Sequence, residues 1–488
     1  MNDFDFVVIG GGTGGLVAAR EARRRGARVV IIQDGPLGGD CTHSGCIPSK
    51  ALLAAAARGE SFSEAMAAVH RAVDHMASTE DAAALTAEGI DVIAGRARFC
   101  EPTVVEVDGR RIVAARFVVA TGARPLVPPI PGLRELSPLT NETLFSLREQ
   151  PASLAVLGGG PIGCEMAQAF ARLGTRVTII EAEDRLLPRE EPEASTAVCE
   201  ALAADGVTVR TGSKVVRVER VAAGSSAPGG RDNQRSVEGE QPAGPVRLAF
   251  ESAEPVVADH VLAAIGRTPS GHGFGLEEIG VALDDRGSVR VDATTATNVA
   301  GIWAVGDCTG GLQFTHVAAR MGWIAARNAL SSSARVRKTR FDMRVVPWAT
   351  FTSPEVGRVG LTEAEAAEQH NGAQVAFVPF DDFDRAVATG EQRGFVKLIA
   401  VPRWHIPSMA AGRIVGATTV APAGGELVHE AALAMQTNML LARLAQTVHA
   451  YPTWSMAMQQ AALQFVGNYA GPSARPARTA DNARTEQR

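Results

Sequence analysis

The chain lacks any apolar run approaching the ~20 residues that span a bilayer, so a membrane-embedded protein is not expected. Its first residues, Met1-Asn2-Asp3-Phe4-Asp5, are acidic where a secretory signal carries a basic stretch. Cysteine is scarce: six in 488 residues are too few for a disulfide scaffold. These absences point to a cytoplasmic protein, in which a close pair of cysteines is catalytic or metal-binding before it is structural. Neither sign of charge dominates. Forty-eight Lys+Arg against 53 Asp+Glu give a net charge of −5, which leaves no basic footprint for nucleic acid and no pull toward anionic membranes. What is present is ordinary for a folded protein, 46% apolar and 21% charged residues, and excludes disorder as the dominant state. At roughly 100–200 residues per domain, the length suits three or four domains. The informative excess is glycine: 50 residues, many in runs, suit loops that approach a ligand closely.

Two stretches read as strand, glycine turn, helix and strand. In the first, residues 4–9 form a buried strand, Gly10-Gly11-Gly12-Thr13-Gly14-Gly15 the turn, 16–25 the helix and 28–32 the second strand. In the second, 154–157 form the strand, Gly158-Gly159-Gly160-Pro161-Ile162-Gly163 the turn, 165–173 the helix and 176–180 the second strand. The two leading glycines stand 148 residues apart, which suggests two dinucleotide-binding domains and not a short repeat. Residues 125–131, Pro-Leu-Val-Pro-Pro-Ile-Pro, read as an extended linker. Residues 222–244, rich in Gly, Ser and Pro, read as a disordered insert, and 470–488 as a disordered tail. After about residue 341 the glycine-turn pattern stops. Strand signals at 396–399 and 414–420 and helical periodicity at 426–439 and 454–465 then indicate a separate α+β domain. The expected class is α/β: two Rossmann-like dinucleotide-binding domains, over 1–150 and 151–269, and a C-terminal α+β domain over 341–469.

Gly10, Gly12 and Gly15, and again Gly158, Gly160 and Gly163, satisfy the G-x-G-x-x-G spacing between a strand and a helix. The first glycine permits the tight turn, the second lets backbone approach a pyrophosphate, and the third lets helix and strand pack closely. A purely structural glycine turn is the alternative, and the second copy weighs against it. The residue ending the second strand meets the ribose. In the second unit it is Glu181, whose carboxylate accepts from both ribose hydroxyls and repels a 2′-phosphate, so NADH is expected over NADPH. In the first unit it is Gln33, a weaker partner for ribose.

Cys41-Thr42-His43-Ser44-Gly45-Cys46-Ile47-Pro48-Ser49-Lys50 follows the first unit. In a regular helix residues five apart sit about 8 Å apart, whereas a disulfide needs Cα atoms within about 7 Å. Bridging therefore requires an unwound turn, for which Gly45 supplies the freedom. A helix start also lowers thiol pKa values. A metal pair and two inert buried thiols are the alternatives; no second cysteine pair lies nearby, so no resident metal site is expected. Cys100, Cys164, Cys199 and Cys308 are assigned to the core or to chance.

The stretch Gly-Gly-Asp40-Cys41-x4-Cys46-Ile-Pro-Ser-Lys50 resembles the redox-active disulfide of class I pyridine nucleotide–disulfide oxidoreductases, the family of dihydrolipoyl dehydrogenase, glutathione reductase and mercuric reductase. The likeness runs on in the family's order. Ala120-Thr121-Gly122-Ala123-Arg124-Pro125 and Ala264-Ile265-Gly266-Arg267-Thr268-Pro269 resemble its two crossovers, Ala304-Val305-Gly306-Asp307-Cys308 its second FAD motif, and residues 347–363 the start of its dimerisation domain. The resemblance implies FAD on the first glycine loop, in a domain completed by 270–340, with Thr121, Gly122 and Gly266 at the crossovers and Asp307 on the ribityl chain. It implies the reduced nicotinamide on the second loop and an ion pair of Lys50 with Glu165 beside the flavin. Lysine is rare here, four residues against 44 arginines, which favours a specific role for Lys50. Cys46 would face the flavin and Cys41 would attack the acceptor. A homodimer sharing its active sites is implied.

One run departs from that pattern. The family's disulfide-handling members carry His-x-His-Pro-Thr-x-x-Glu, whose second histidine is a general base oriented by the glutamate. Here the run is His449-Ala450-Tyr451-Pro452-Thr453-Trp454-Ser455-Met456. Tyr451 stands for the base and Met456 for the carboxylate, and a phenol with pKa near 10 is a poor base at neutral pH. His449 is the stand-in, without a carboxylate at the expected place. A tyrosine here is similar to mercuric reductases, as are Phe170-Ala-Arg-Leu-Gly174, Asp384-Arg385-Ala386 and Arg393-Gly-Phe-Val-Lys397, yet no cysteine follows Cys308 to receive a soft metal. The expected activity is electron transfer from NADH through FAD to the Cys41–Cys46 disulfide and on to a small-molecule acceptor. Mercuric reduction is the runner-up. Dihydrolipoyl dehydrogenase-type turnover and a flavin-bearing redox sensor are the remaining readings.

Overall fold

The computed structural model describes residues 3–221, 244–331, 337–403, 408–467 and 472–480. They gather into two compact units, one from residues up to 151 and from 260 to 342, the other from 152 to 259 and from 343 onward. Among them no helix is long and apolar enough to cross a membrane.

In the first unit five parallel strands stand in the order Ile302–Ala304, Phe117–Val119, β1 (Phe6–Ile9), β2 (Val29–Gln33) and Ile90–Ala94. β1 is buried at every residue, as an unbroken apolar run covered on both faces must be. On one face Val7, Ile9, Val30 and Ile32 pack against Phe99, Val105 and Ile112 of a three-stranded antiparallel sheet. The other face carries α1 (Thr13–Arg24), where Val8 reaches Gly15 and where Leu16, Ala18, Ala19 and Ala22 are buried. α1 lies so close to the helix Thr315–Ala329 that a Cβ on Gly322 would stand 2.2 Å from the Gly14 carbonyl. α1 starts three residues before the expected position because Gly12 is its cap and the end of the glycine turn is already helical. Pro125, expected to open a linker, ends the strand Ala123–Pro125, which pairs antiparallel with Arg267–Pro269.

In the second unit Thr208–Arg210, Arg176–Ile180 and Ser153–Leu157 run parallel. The helix Pro161–Arg172 begins four residues ahead of expectation, with Gly160 as its cap and Pro161 in the first turn, where a missing N–H costs nothing. The same unit holds a six-stranded antiparallel sheet in the order Pro347–Thr350, Glu355–Gly360, Arg413–Ala421, Phe395–Val401, Gln374–Pro379 and Arg475–Pro476. The helices Gly424–Gln436, Leu441–Gln446 and Met456–Gln464 share one apolar core with it, through Val428, Leu441, Leu444 and Met458 against Val359, Leu398 and Ala417.

The tail expected to be disordered is corrected in part. Arg475–Pro476 adds the sixth strand, Ala477 N–H donates to Ala373 O at 2.9 Å, and the Glu363 carboxylate takes the Arg475 guanidinium and the Arg478 amide. Ladder bonds and charge hold this segment, and neither leaves a hydrophobic pattern to read. Residues 470–471 and 481–488, and the insert at 222–243, lie outside the described residues.

Candidate active site

Each glycine turn is built the same way. Gly10 (φ +105°) and Gly158 (φ +107°) take the left-handed backbone that sends the chain from strand into helix. A Cβ on Gly15 would stand 1.9 Å from Gly10 O, and one on Gly163 2.0 Å from Gly158 O, so neither position admits a side chain. The middle glycines face space: a Cβ on Gly12 meets nothing nearer than 3.8 Å and one on Gly160 nothing within 4 Å. Both helices that follow lack a side-chain cap, which leaves first-turn amides for an anion. A dinucleotide pyrophosphate fits either cradle.

The strand-ending residues also act alike. Gln33 Oε1 accepts from Gly11 N at 2.6 Å, and Glu181 Oε2 accepts from Gly159 N at 2.6 Å. The second Glu181 oxygen accepts from Glu183 N at 2.9 Å, whereas Gln33 Nε2 donates to the Pro36 carbonyl at 3.1 Å. Arg185, the first basic residue after Glu181, is turned onto the Glu190 and Pro188 carbonyls at 2.9 and 2.7 Å.

The two cysteines lie in the first unit, just beyond β2. α2 (Gly39–His43) stops at Ser44, Gly45 leaves helical geometry at φ −123°, ψ −109°, and α3 (Cys46–Ala57) begins at Cys46 itself. This break is the unwound turn that the spacing required. It brings the two thiols into hydrogen-bond contact. Cys46 Sγ also lies 3.3 Å from the Thr315 hydroxyl. The bond to Cys46, then burial, pushes the Cys41 thiol far up, which corrects the expectation that both thiols are acidified. Lys50 follows Cys46 by one turn of α3. Among the other cysteines, Cys164 and Cys308 are buried, the latter pushed up to about 11 by burial, whereas Cys100 is exposed and Cys199 intermediate. Among the described residues no group of three metal-ligating side chains comes together.

Asp307 is the second residue of a short 3-10 turn (Gly306–Thr309) and is pushed up by burial, with Arg267 pulling it back. The Arg267 Nε stands 3.6 Å from the Asp307 carboxylate and has no hydrogen-bond acceptor, while its Nη2 meets the Asp40 carboxylate and the Ala123 carbonyl. A half-buried acid beside a guanidinium whose Nε has no acceptor suits a polar ligand such as the FAD ribityl chain or phosphates. Thr121 and Gly122 serve the crossover itself: the Thr121 hydroxyl donates to Ser270 O at 2.5 Å, and Ser270 N donates to Gly122 O at 2.9 Å. Gly266, at φ +124°, accepts from Leu126 N at 3.0 Å.

Glu165, Tyr451 and His449 lie in the second unit. Glu165 is buried in the helix Pro161–Arg172, and one carboxylate oxygen accepts from Phe351 N at 2.9 Å. Tyr451 is 69% exposed, and its phenol donates to the Asp384 carboxylate, which raises its pKa. His449 has a carboxylate after all: its Nε2 meets Glu430 Oε1 at 2.8 Å, from the helix Gly424–Gln436. Its Nδ1 meets Thr447 O at 2.8 Å. Both ring nitrogens thus face oxygen atoms, and the tautomer decides which of them donates. Arg267, Thr315, Asp384 and Glu430 were not read as site residues. Arg267 and Asp384 sit in motifs that the sequence displayed; Thr315 and Glu430 carry no local signal.

A family profile described as pyridine nucleotide-disulphide oxidoreductase matches residues 4–322, and the profile of that family's dimerisation domain matches 346–462. The chain is 35% identical to a mercuric reductase of Streptomyces lividans, over 96% of this chain and 97% of the relative. It is 32% identical to a dihydrolipoyl dehydrogenase of Thermus scotoductus, over 95% and 97% of the two chains. The HOCl-induced flavoprotein disulfide reductase RclA from Escherichia coli superposes with a TM-score of 0.82 at 29% identity, covering 94% of this chain and 99% of that one.

Proposed function

Because this chain belongs to the pyridine nucleotide-disulphide oxidoreductase family, whose members are FAD-dependent enzymes that bind a pyridine nucleotide, we propose that it draws electrons from NADH and delivers them through a Cys41–Cys46 disulfide to a small acceptor that needs no histidine base. The contact between the two sulfurs, made by the break at Ser44 and Gly45, is the observation that carries this reading. FAD supplies the relay between a two-electron hydride donor and the disulfide. The first glycine loop and Asp307 would hold it, and Lys50 would offset negative charge beside it. The second loop would hold the nicotinamide dinucleotide. Glu181 beside that loop, and Arg185 turned away onto backbone carbonyls, favour NADH over NADPH. Reduction adds two electrons and a proton to the disulfide, breaks the S–S bond, and leaves one thiol and one thiolate. Tyr451 would donate a hydrogen bond, since Asp384 holds its proton in place. The C-terminal domain would pair two chains so that Tyr451 of each serves the other's Cys41. The sparse cysteines favour a cytoplasmic setting.

Soft-metal reduction is the second reading. It is favoured by the Tyr451–Asp384 contact, by the mercuric reductases among the relatives, and by the Cu(II) complex known for the Escherichia coli reductase. One experiment separates them. Anaerobic titration with NADH, followed by alkylation and mass mapping, should expose two new thiols per chain, at Cys41 and Cys46. Unchanged thiol counts would refute the disulfide relay. If Hg(II) under excess thiol fails to stimulate NADH oxidation, the metal reading falls and the first stands.

A further inference from the structure

The segment 472–480 lies beyond the residues 346–462 that the dimerisation profile matches, yet it is built into the second unit. Arg475–Pro476 pairs with Gln374–Pro379 at the edge of the six-stranded sheet, and Ala474 N–H donates to Gln464 O at 3.0 Å. This strap brings two guanidinium groups to one carboxylate. Arg475 Nη2 stands 2.9 Å from Glu363 Oε2, and Arg478 Nε 3.6 Å from Glu363 Oε1. Glu363 in turn lies 3.1 Å from Lys397 Nζ, which also meets Glu191 at 3.2 Å and Glu193 at 2.7 Å. Three carboxylates thus face three cations, two of which come from the strap. Without the strap, one buried ammonium would face all three carboxylates, and Glu363 would compete with Glu191 and Glu193 for it.

The same cluster anchors the nucleotide site. The run 181–193 leaves Glu181, beside the second glycine loop, and enters the helix Pro192–Ala204. The sheet and the helix Glu363–Gln369 hold that run at successive residues. Arg358 Nη1 donates to Arg189 O, and Trp348 Nε1 donates to Glu190 Oε1 at 2.8 Å. Glu363 N–H donates to Glu191 Oε1 at 2.7 Å, and Lys397 Nζ donates to Glu193 Oε1 at 2.7 Å. Arg185 lies inside the run, and its guanidinium is engaged by the Glu190 and Pro188 carbonyls. The placement of the run therefore decides whether the first cation after Glu181 can turn toward a ribose 2′-phosphate.

We propose that the strap sets coenzyme selectivity from a distance: Arg475 and Arg478 are positioning residues that neutralise Glu363, keep Lys397 on Glu191 and Glu193, and so hold the run 185–193 with Arg185 turned off the ribose. With the strap docked, Glu181 meets the ribose hydroxyls without a cation beside it, and a 2′-phosphate is repelled. With the strap charges removed, the carboxylates repel one another, the run loosens and Arg185 is released. A freed guanidinium pairs well with a phosphate, so discrimination against the 2′-phosphate falls. Neither strap arginine touches the nucleotide; both act through Glu363.

The inference rests on the NADH reading, and the test keeps the two apart. Full-length, FAD-loaded protein is titrated calorimetrically with NAD+ and with NADP+, so that binding is read without turnover, and amide hydrogen exchange is followed over 185–193. The unaltered chain should bind NAD+ more tightly. Arg475→Gln with Arg478→Gln should lower the ratio of the NADP+ to the NAD+ Kd by about tenfold and speed exchange over 185–193. Arg475→Lys with Arg478→Lys, which keeps the charge, should hold the ratio near that of the unaltered chain. A purely structural loss weakens both nucleotides alike and leaves the ratio where it was. If the double glutamine variant does not fold, Arg478→Gln alone takes its place, with a smaller shift in the same direction. An unchanged ratio in the glutamine variant would overturn the role of the strap alone. NADP+ bound as tightly as NAD+ by the unaltered chain would instead count against the NADH reading itself.

Discussion

Lys397 is a buried cation in one unit and Arg267 a largely buried one in the other, and they are partnered in opposite ways. Lys397 is 1% exposed and meets Glu191 at 3.2 Å, Glu193 at 2.7 Å and Glu363 at 3.1 Å, so each ammonium proton has a carboxylate. Its carboxylates come from the cap and first turn of the helix Pro192–Ala204 and from the helix Glu363–Gln369, while Lys397 itself is in the sheet. Charge there braces helix to sheet. Arg267 keeps a buried Nε with no acceptor, 3.6 Å from an Asp307 carboxylate whose charge burial disfavours. An orphaned buried polar group costs about 1–3 kcal/mol. A ligand with its own polar atoms removes that cost on binding, whereas nothing remains for a ligand to improve at Lys397. Saturated charge serves stability, and charge left short of partners marks a place for something else.

Three substitutions test this contrast, taken from the largest effect on stability to the smallest. Lys397→Met strands the buried Glu191 carboxylate and takes one partner from Glu193 and Glu363, and it should cost about 3–5 kcal/mol, read as a fall in the denaturant midpoint. A near-neutral result would mean that the cluster is not a brace. Next comes Glu363. Burial pushes its pKa up, but Arg475 and Lys397 outweigh burial and bring it down to about 2. A depressed carboxylate stabilises the fold above its unfolded pKa of 4.5, and that contribution drains away as pH falls from 4.5 toward 2. Glu363→Gln should flatten this acid limb and cost about 1–3 kcal/mol at pH 7. A melting-temperature profile from pH 3 to 7 with the limb unchanged would count against it. The smallest expected stability effect is at Asp307. Asp307→Asn should shift the denaturant midpoint by less than about 1 kcal/mol, because burial already opposes the charge, while lowering flavin retention on dialysis by about tenfold. A loss of stability matching Lys397→Met would erase the distinction between the two clusters.

Much of the fold was open to local reading. The strands at β1 and β2, the two glycine turns and the α/β class follow from apolar runs and glycine spacing, which act within a few residues. The helix starts at Thr13 and Pro161 were placed late because side-chain periodicity begins only after the turn glycines. The strand Arg475–Pro476 was missed because its anchors, Glu363 and the edge strand Gln374–Pro379, lie about a hundred residues earlier in the chain. His449 was read as lacking a carboxylate because Met456 stands where related enzymes keep one, while Glu430 reaches it from the helix Gly424–Gln436.

Residue type and spacing by themselves determined which chemistry this chain carries: two dinucleotide loops, a cysteine pair five residues apart, Glu181 at a strand end, and Tyr451 where related enzymes keep histidine. Tertiary structure alone decided how that chemistry is controlled. It brought the Thr315 hydroxyl to a sulfur 269 residues away in sequence, joined Arg267 to Asp40 across 227 residues, and gave both nitrogens of His449 oxygen neighbours. The physical reason is range: backbone geometry and hydrophobic periodicity are written between near neighbours, but a hydrogen bond between distant residues exists only after whole elements have packed.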